Sequence, residues 1–421
     1  MLALGAVSVG ASAATRGLGN IDTRCNDGHG LLIRAPHGDV SDLLTTETST
    51  GVTIVGFDTV TPSDGTQVDP ETYYAVGPDC RLDHRFGTQG IIRPRLPGNG
   101  KDLYVVGLAP GLDGHFFLLA SGPAQWLIGE FNATGSLDVA FGSHGWVSLV
   151  PPGADTGYRY PYPQDLVQEP NGLIVVTGEN ARPHADVASF VYELFANGAV
   201  DRTFGHDGHA RVLPEIAYAD DLFVQPDGSI AVTGVLGGGG CFDMQINWLE
   251  PDGSRDVARD ANFNRSRSFP STYGFNGADF VDASGGVGVI GSEEPCGSTA
   301  ATARSYDAAE ALTPDGTVDR GFGNHGTTYF SMPNPAASDT SAVSLPNGDV
   351  ILESVSGSTS YVQDFTSAGI PIRAFGHRDT LRIATAPAAW GYSASVLAGA
   401  RGDFVVVFPA NHVVTIEERL G

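Results

Sequence analysis

Basic residues are scarce in this chain: 23 Lys and Arg stand against 48 Asp and Glu, for a formal net charge of −25, and no basic cluster occurs anywhere. A chain so short of cations has no electrostatic footprint for phosphates, which excludes nucleic acid as an expected partner. The acidic surface itself is what any protein outside the cell needs to stay dispersed, so charge alone does not select a cationic ligand. Long apolar runs are missing as well. None approaches the roughly 18 residues that span a bilayer, and no membrane span is expected. Sustained 3.6-residue periodicity is absent, so helix is not the main element. Among catalytic signatures there is no HExxH, no GxSxG and no paired His and Cys nucleophile motif. The glycine run from Gly234 to Gly240 leads into the strand-like CFDMQINWLE, so the helix N-terminus that a phosphate needs is missing. The tripeptide Arg401-Gly-Asp403 occupies the same kind of tight turn as Asp227-Gly-Ser229, and is read as that turn.

What the chain has in abundance is turn residues and repetition. Gly at 56 and Pro at 26 accompany an apolar fraction of 41%, a composition of many short strands joined by turns. A unit reading LDHRFGTQG recurs from Leu82, as LDVAFGSHG from Leu137, VDRTFGHDG from Val200 and VDRGFGNHG from Val318. Worn copies lie at Ile21, Arg255 and Pro371. Measured at the Phe position the marks are Cys25, Phe86, Phe141, Phe204, Arg259, Phe322 and Phe375, with intervals of 61, 55, 63, 55, 63 and 53 residues. A second mark follows each, a Gly-centred turn opening an apolar run, as in NGLIVVTG at Asn171 and DGSIAVTG at Asp227. Two marks in one phase, seven times over, define a repeat protein.

Within a unit, β-branched and aromatic runs bounded by Gly, Pro, Asn and Asp give three short strands, and a fourth follows the Phe-Gly turn, as in Gly145-Trp-Val-Ser-Leu-Val150. Four antiparallel strands repeated seven times predict an all-β fold, a seven-bladed β-propeller formed as one domain over residues 20–421. The last blade, from about Ser393, has only three strands of its own. The segment GLLIRA after the turn at Cys25 is therefore expected to close the ring as that blade's outer strand. Residues 1–14, ending in Ala11-Ser-Ala13, read as a signal peptide without its charged front, which predicts a secreted or periplasmic, monomeric protein.

The motif LDxxFGxxG followed by a DG-I-V-V-x-G strand resembles the delta-60 repeat family of bacterial secreted proteins, over about residues 20 to 421. The resemblance implies a propeller-like fold and export, with no agreed activity. The motif itself is read as a fold device: Asp accepts backbone N–H bonds in the turn, Phe plugs the space between blades, and Gly supplies backbone angles closed to other residues. His144, His206, His325 and His377 within it belong to separate blades, too far apart to share an ion.

Three features are candidates for function. Asp165, Asp221 and Asp279 each sit seven residues before a turn glycine, at the start of the inner strands of blades three, four and five. Converging there they can hold calcium, and equally each can anchor its own strand. The loops entering the inner strands carry Tyr158, Tyr160 and Tyr162, Tyr218, Phe269 and Tyr273, and Trp390 with Tyr392, a candidate recognition surface that also serves to cover the blade tops. The four cysteines predict the pairs Cys25–Cys80 and Cys241–Cys296, each joining neighbouring blades; the alternative is four buried thiols. The functional expectation is a binding or scaffold module for a glycan, cell-envelope or protein ligand, without catalysis. The alternative is a propeller enzyme: a polysaccharide lyase or hydrolase, or a quinone-type dehydrogenase.

Overall fold

The protein is a seven-bladed β-propeller in the computed structural model, which describes residues 20–34, 39–60, 67–98, 103–153, 161–180, 188–212, 218–238, 241–260, 280–281, 286–293, 306–329, 340–356, 359–377, 379–384, 395–399, 403–410 and 413–420. The segment read as a signal peptide lies outside these residues. Each blade is an antiparallel sheet, and in all but blade seven its described strands follow chain order from the axis outward. Blade two shows the pattern with Tyr104–Pro110, Phe116–Gly122, Gln125–Phe131 and Trp146–Leu149. Blade three repeats it with Tyr162–Gln168, Ile174–Asn180, Ala188–Leu194 and His209–Arg211. Blade four has three described strands, Tyr218–Val224, Ile230–Gly238 and Cys241–Leu249. No helix among the described residues is long and apolar enough to cross a membrane.

Ring closure follows the sequence expectation. Blade seven takes Ser395–Ala398, Phe404–Ala410 and Val413–Arg419 from the end of the chain and Leu31–Arg34 from its beginning, with Leu31 opposite Ile416 and Ile33 opposite Val414. The apolar core is distributed: seven clusters fill the seven wedges between neighbouring sheets. One wedge, between blades two and three, holds Phe117, Trp126, Phe141, Val176, Phe190 and Tyr192. Another, between blades four and five, holds Ala231, Ile246 and Trp248 against Val287, Val289 and Leu312.

The repeat motif forms the joint between blades. Phe86, Phe141, Phe204 and Phe322 are each 3% exposed or less. Each ring lies over a glycine in the turn after the third strand of the next blade. A Cβ on Gly135, Gly198, Gly253 or Gly369 would stand 2.8, 2.9, 3.0 or 2.8 Å from the ring of Phe86, Phe141, Phe204 or Phe322. The glycine after the phenylalanine adds a backbone bond across the same joint, from Gly87 N–H to Thr134 O, Gly142 to Asn197, Gly205 to Asp252 and Gly323 to Ala368, all 2.7–2.8 Å. Arg259 takes the Phe place between blades four and five: residues 257–260 form a helical turn whose Ala258 and Arg259 N–H groups donate to Asp256 Oδ1, and Gly316 lies against the Arg259 carbonyl.

At the ring closure the joint is covalent. Cys25 holds the Phe place and Cys80 the Gly place: Cys80 has φ +54° and donates its N–H to Gly77 O, as Gly135 does to Asn132 O. The expected Cys25–Cys80 disulfide is present, with Cα atoms 4.7 Å apart. The expected partner of Cys241, Cys296, lies outside the described residues. Closing a 55-residue loop contributes up to about 4 kcal/mol by the chain-entropy estimate. Cys80→Ser should therefore lower the thermal midpoint. The double variant Cys25→Phe/Cys80→Gly should recover part of that loss, because it installs the joint used elsewhere in the ring. Thermal unfolding of the three proteins checks both.

Candidate functional site at the channel mouth

Inner strands of successive blades lie side by side around the axis: that of blade three, Tyr162–Gln168, touches those of blades two and four, and that of blade one, Asp39–Glu47, touches those of blades two and seven. All blades are built the same way round, so the inner strands start on one face and their first residues ring the mouth of the channel. In blades one to four the start is irregular. The register slips between Val105 and Gly107, between Pro163 and Asp165 and between Ala219 and Leu222. Such bulges re-aim side chains at the end of a sheet.

Asp165 and Asp221 sit at these bulges, as their spacing predicts. Asp165 uses both carboxylate oxygens on backbone: Oδ1 accepts the N–H of Leu166 at 2.7 Å and Oδ2 the N–H of Leu222, in blade four, at 3.0 Å. Burial raises its pKa and those two donors pull it down. The side chain thus ties its own strand to the next, the strand-anchoring role that the sequence offers beside calcium binding. Asp221 carries its backbone N–H and C=O on Thr233 Oγ1, both at 3.4 Å. Asp279 lies outside the described residues, as do Tyr158, Tyr160, Phe269, Tyr273, Trp390 and Tyr392.

Tyr162 opens the inner strand of blade three and Tyr218 that of blade four. Tyr104, not singled out above, opens blade two and is 55% exposed. The three share one register, ten residues before the turn glycines Gly114, Gly172 and Gly228, and Tyr392 stands at the same count before Gly402. That count was the signal able to find Tyr104, which no aromatic-rich loop announces.

Next to Tyr162 a buried polar group fills the top of the wedge between blades three and four. Tyr162 pairs across the sheet with Glu179, and Glu179 with Ser189. Glu179 is 5% and Ser189 0% exposed, and Glu179 Oε2 and Ser189 Oγ have no hydrogen-bond partner among the described residues. The segment is held from the blade-two side, where Trp126 Nε1 donates to Glu179 O at 3.3 Å, Ser121 Oγ to Pro161 O at 2.8 Å and Asn180 Nδ2 to Pro152 O at 2.9 Å. Burial, with Asp220 nearby, pushes the Glu179 carboxyl up to about 7, and burial pushes Asp220 up to about 6. Both carboxyls are thus held above the ordinary carboxylate range, chiefly by burial. A separate open groove of about 670 Å³, lined by Arg93, Arg95 and Phe131, lies at the outer edge between blades one and two, away from the axis.

No family model matches the chain, and no curated protein matches it. Solved structures do. The polysaccharide lyase Uly1 aligns over 92% of this chain and 91% of its own, with TM-score 0.50 and 12% identity. Prolyl oligopeptidase B from Galerina marginata, bound to a macrocyclization substrate, aligns over 91% of this chain and 48% of its own, with TM-score 0.48 and 11% identity. The GH93 α-L-arabinofuranosidase of Fusarium graminearum aligns over 75% and 93%, with TM-score 0.48 and 10% identity. The chain spans about half the length of the prolyl peptidases it matches. Likeness at these identities shows the propeller fold and nothing of the chemistry.

The raised carboxyls set a pH dependence. A group whose folded pKa lies above its unfolded value binds its proton more tightly when folded, so its stabilisation is complete at low pH and is lost as pH rises through the folded value. For Glu179 that window runs from 4.5 to about 7, and for Asp220 from 3.8 to about 6. Stability should therefore fall between pH 5 and pH 8. Denaturant midpoints across that range should fall less steeply for Glu179→Gln than for the wild type.

Proposed function

We propose that the protein is an exported binding module that takes a glycan chain across its channel mouth. The observation that carries this reading is the tyrosine register, in which blades two, three and four, at Tyr104, Tyr162 and Tyr218, open their inner strands with the same residue around one axis. Aromatic rings repeated at fixed spacing around an opening offer flat apolar faces and hydroxyl donors together, the combination that suits the alternating faces of sugar rings. Export is supported by the Cys25–Cys80 disulfide, since such bonds persist in oxidising compartments. The resemblance to delta-60 repeats belongs to the same reading.

A second reading, catalysis on a polysaccharide, has one observation in its favour. Glu179, cross-strand partner of Tyr162, has a carboxyl raised to about 7, a value suited to proton transfer. Screening glycan and cell-wall arrays with and without millimolar calcium separates the readings. The binding module should retain ligand, release no product and lose affinity about tenfold in Tyr104→Ala or Tyr162→Ala. Undiminished binding in both variants would sink the tyrosine site. Product release abolished by Glu179→Gln would establish the enzyme instead. Affinity gained only with calcium would bring back the rim of Asp165, Asp221 and Asp279 as a metal site.

A further inference from the structure

On the opposite face, blades one to four, six and seven each build, among the described residues, one small three-sided position from the same backbone frame. Its first side is the residue after the turn glycine, fixed by a bond such as Gly111 N–H to His115 O in blade two or Gly399 N–H to Asp403 O in blade seven. The other two sides are a third-strand residue and the motif residue bonded to it, Asp138 N–H to Glu130 O in blade two and Asp22 N–H to Glu418 O in blade seven. The frame is constant and the filling is not. In blade one the first two sides are apolar, Val52 with Ala75. Only in blades two and seven, among the described residues, do three ligand-type side chains meet there, their donor atoms all within 4.8 Å of one another.

Blade seven supplies its own cation. Arg24, two residues after Asp22, donates to the carboxylates of Asp22 and, at 2.8 Å, of Asp403. Blade two has Ala140 at that place, two residues after Asp138, and so has no guanidinium to offer. What stands there is an imidazole with two carboxylates: His115 Nδ1 lies 2.8 Å from Glu130 Oε1, and the Asp138 carboxylate completes the group. Glu130 is buried while His115 keeps 29% of its side chain exposed, so the position opens to solvent on one side.

We propose that His115, Glu130 and Asp138 bind a divalent transition-metal ion, which fills in blade two the place that the Arg24 guanidinium fills in blade seven. One imidazole and two carboxylates are a donor set suited to zinc, iron(II) or manganese rather than to calcium, which prefers oxygen alone. With metal–ligand bonds of about 2.1 Å, an N···O separation of 2.8 Å subtends an angle of about 85° at the ion, which suits three ligands on one face of an octahedron and leaves positions for water. Imidazole and carboxylate ligands must shed their protons to bind a metal, so binding weakens as pH falls.

The test is calorimetric titration of the metal-stripped full chain with zinc, followed by X-ray absorption on the loaded protein. One ion per chain is expected, with a single imidazole in a nitrogen and oxygen shell. His115→Ala and Glu130→Gln should each weaken binding at least tenfold. Ala140→Arg, which copies the blade-seven solution, should abolish it while leaving circular dichroism and the thermal midpoint intact. His206→Ala should leave it unchanged, since the neighbouring His206 and His209, with rings 6.0 Å apart, are the competing surface site. No binding at about 1 mM zinc, binding that survives both His115→Ala and Glu130→Gln, or binding lost in His206→Ala would overturn the proposal. If Ala140→Arg fails to fold, the other two variants decide.

Discussion

The ring depends on one contact, used at four of its joints: a phenylalanine of one blade laid over a glycine of the next. An aromatic ring fits that gap because the facing residue has no Cβ, and the facing residue sits at positive φ, where glycine costs nothing. The two positions are therefore coupled across blades although they lie about fifty residues apart. Phe141 with Gly198 and Phe204 with Gly253 show the contact plainly. The paired backbone bond from the glycine after each phenylalanine makes the joint directional, so blades cannot slide along one another without breaking it. Where the N-terminal strand meets the end of the chain, a disulfide takes the same two places. The break between the chain's two ends falls inside blade seven, where the strand pairing of Leu31–Arg34 with Val413–Arg419 bridges it, and the disulfide then fastens that blade to blade one.

A repeated frame frees individual side chains to differ. The three-sided position beneath blades one to four, six and seven shows this: the backbone bonds that define it are the same in each, and the fillings range from Val52 and Ala75 to an acidic group held by Arg24. Acids at the third-strand side have a cost, since burial, aided by neighbouring carboxylates, pushes Glu193 and Asp364 up to about 7. Two blades offset that cost with a partner side chain. Blade seven does so with a guanidinium and blade two with an imidazole.

At the channel mouth the same logic separates scaffold from surface. Asp165 faces inward onto two N–H groups and joins blades three and four, whereas Tyr104, in the matching strand of blade two, is more than half exposed. A short acidic side chain beside a bulge finds unpaired backbone donors within reach.

The sequence by itself determined the number of blades, their strand order, the ring closure and the Cys25–Cys80 pair, because all of these follow from the spacing of turn residues, and turn geometry is local. It also placed Asp165 and Asp221 at the starts of inner strands. Only the tertiary structure decided what those side chains touch. That Asp165 spends its carboxylate on Leu222, 57 residues onward, that Glu179 is raised by burial and then by Asp220 of another blade, and that His115 meets both Glu130 and Asp138, are facts of how sheets stack and how a turn folds back on its strand. Repeat spacing fixes the frame because each unit carries it whole. The chemistry of a wedge belongs to neighbouring strands and sheets together, and no single unit contains it.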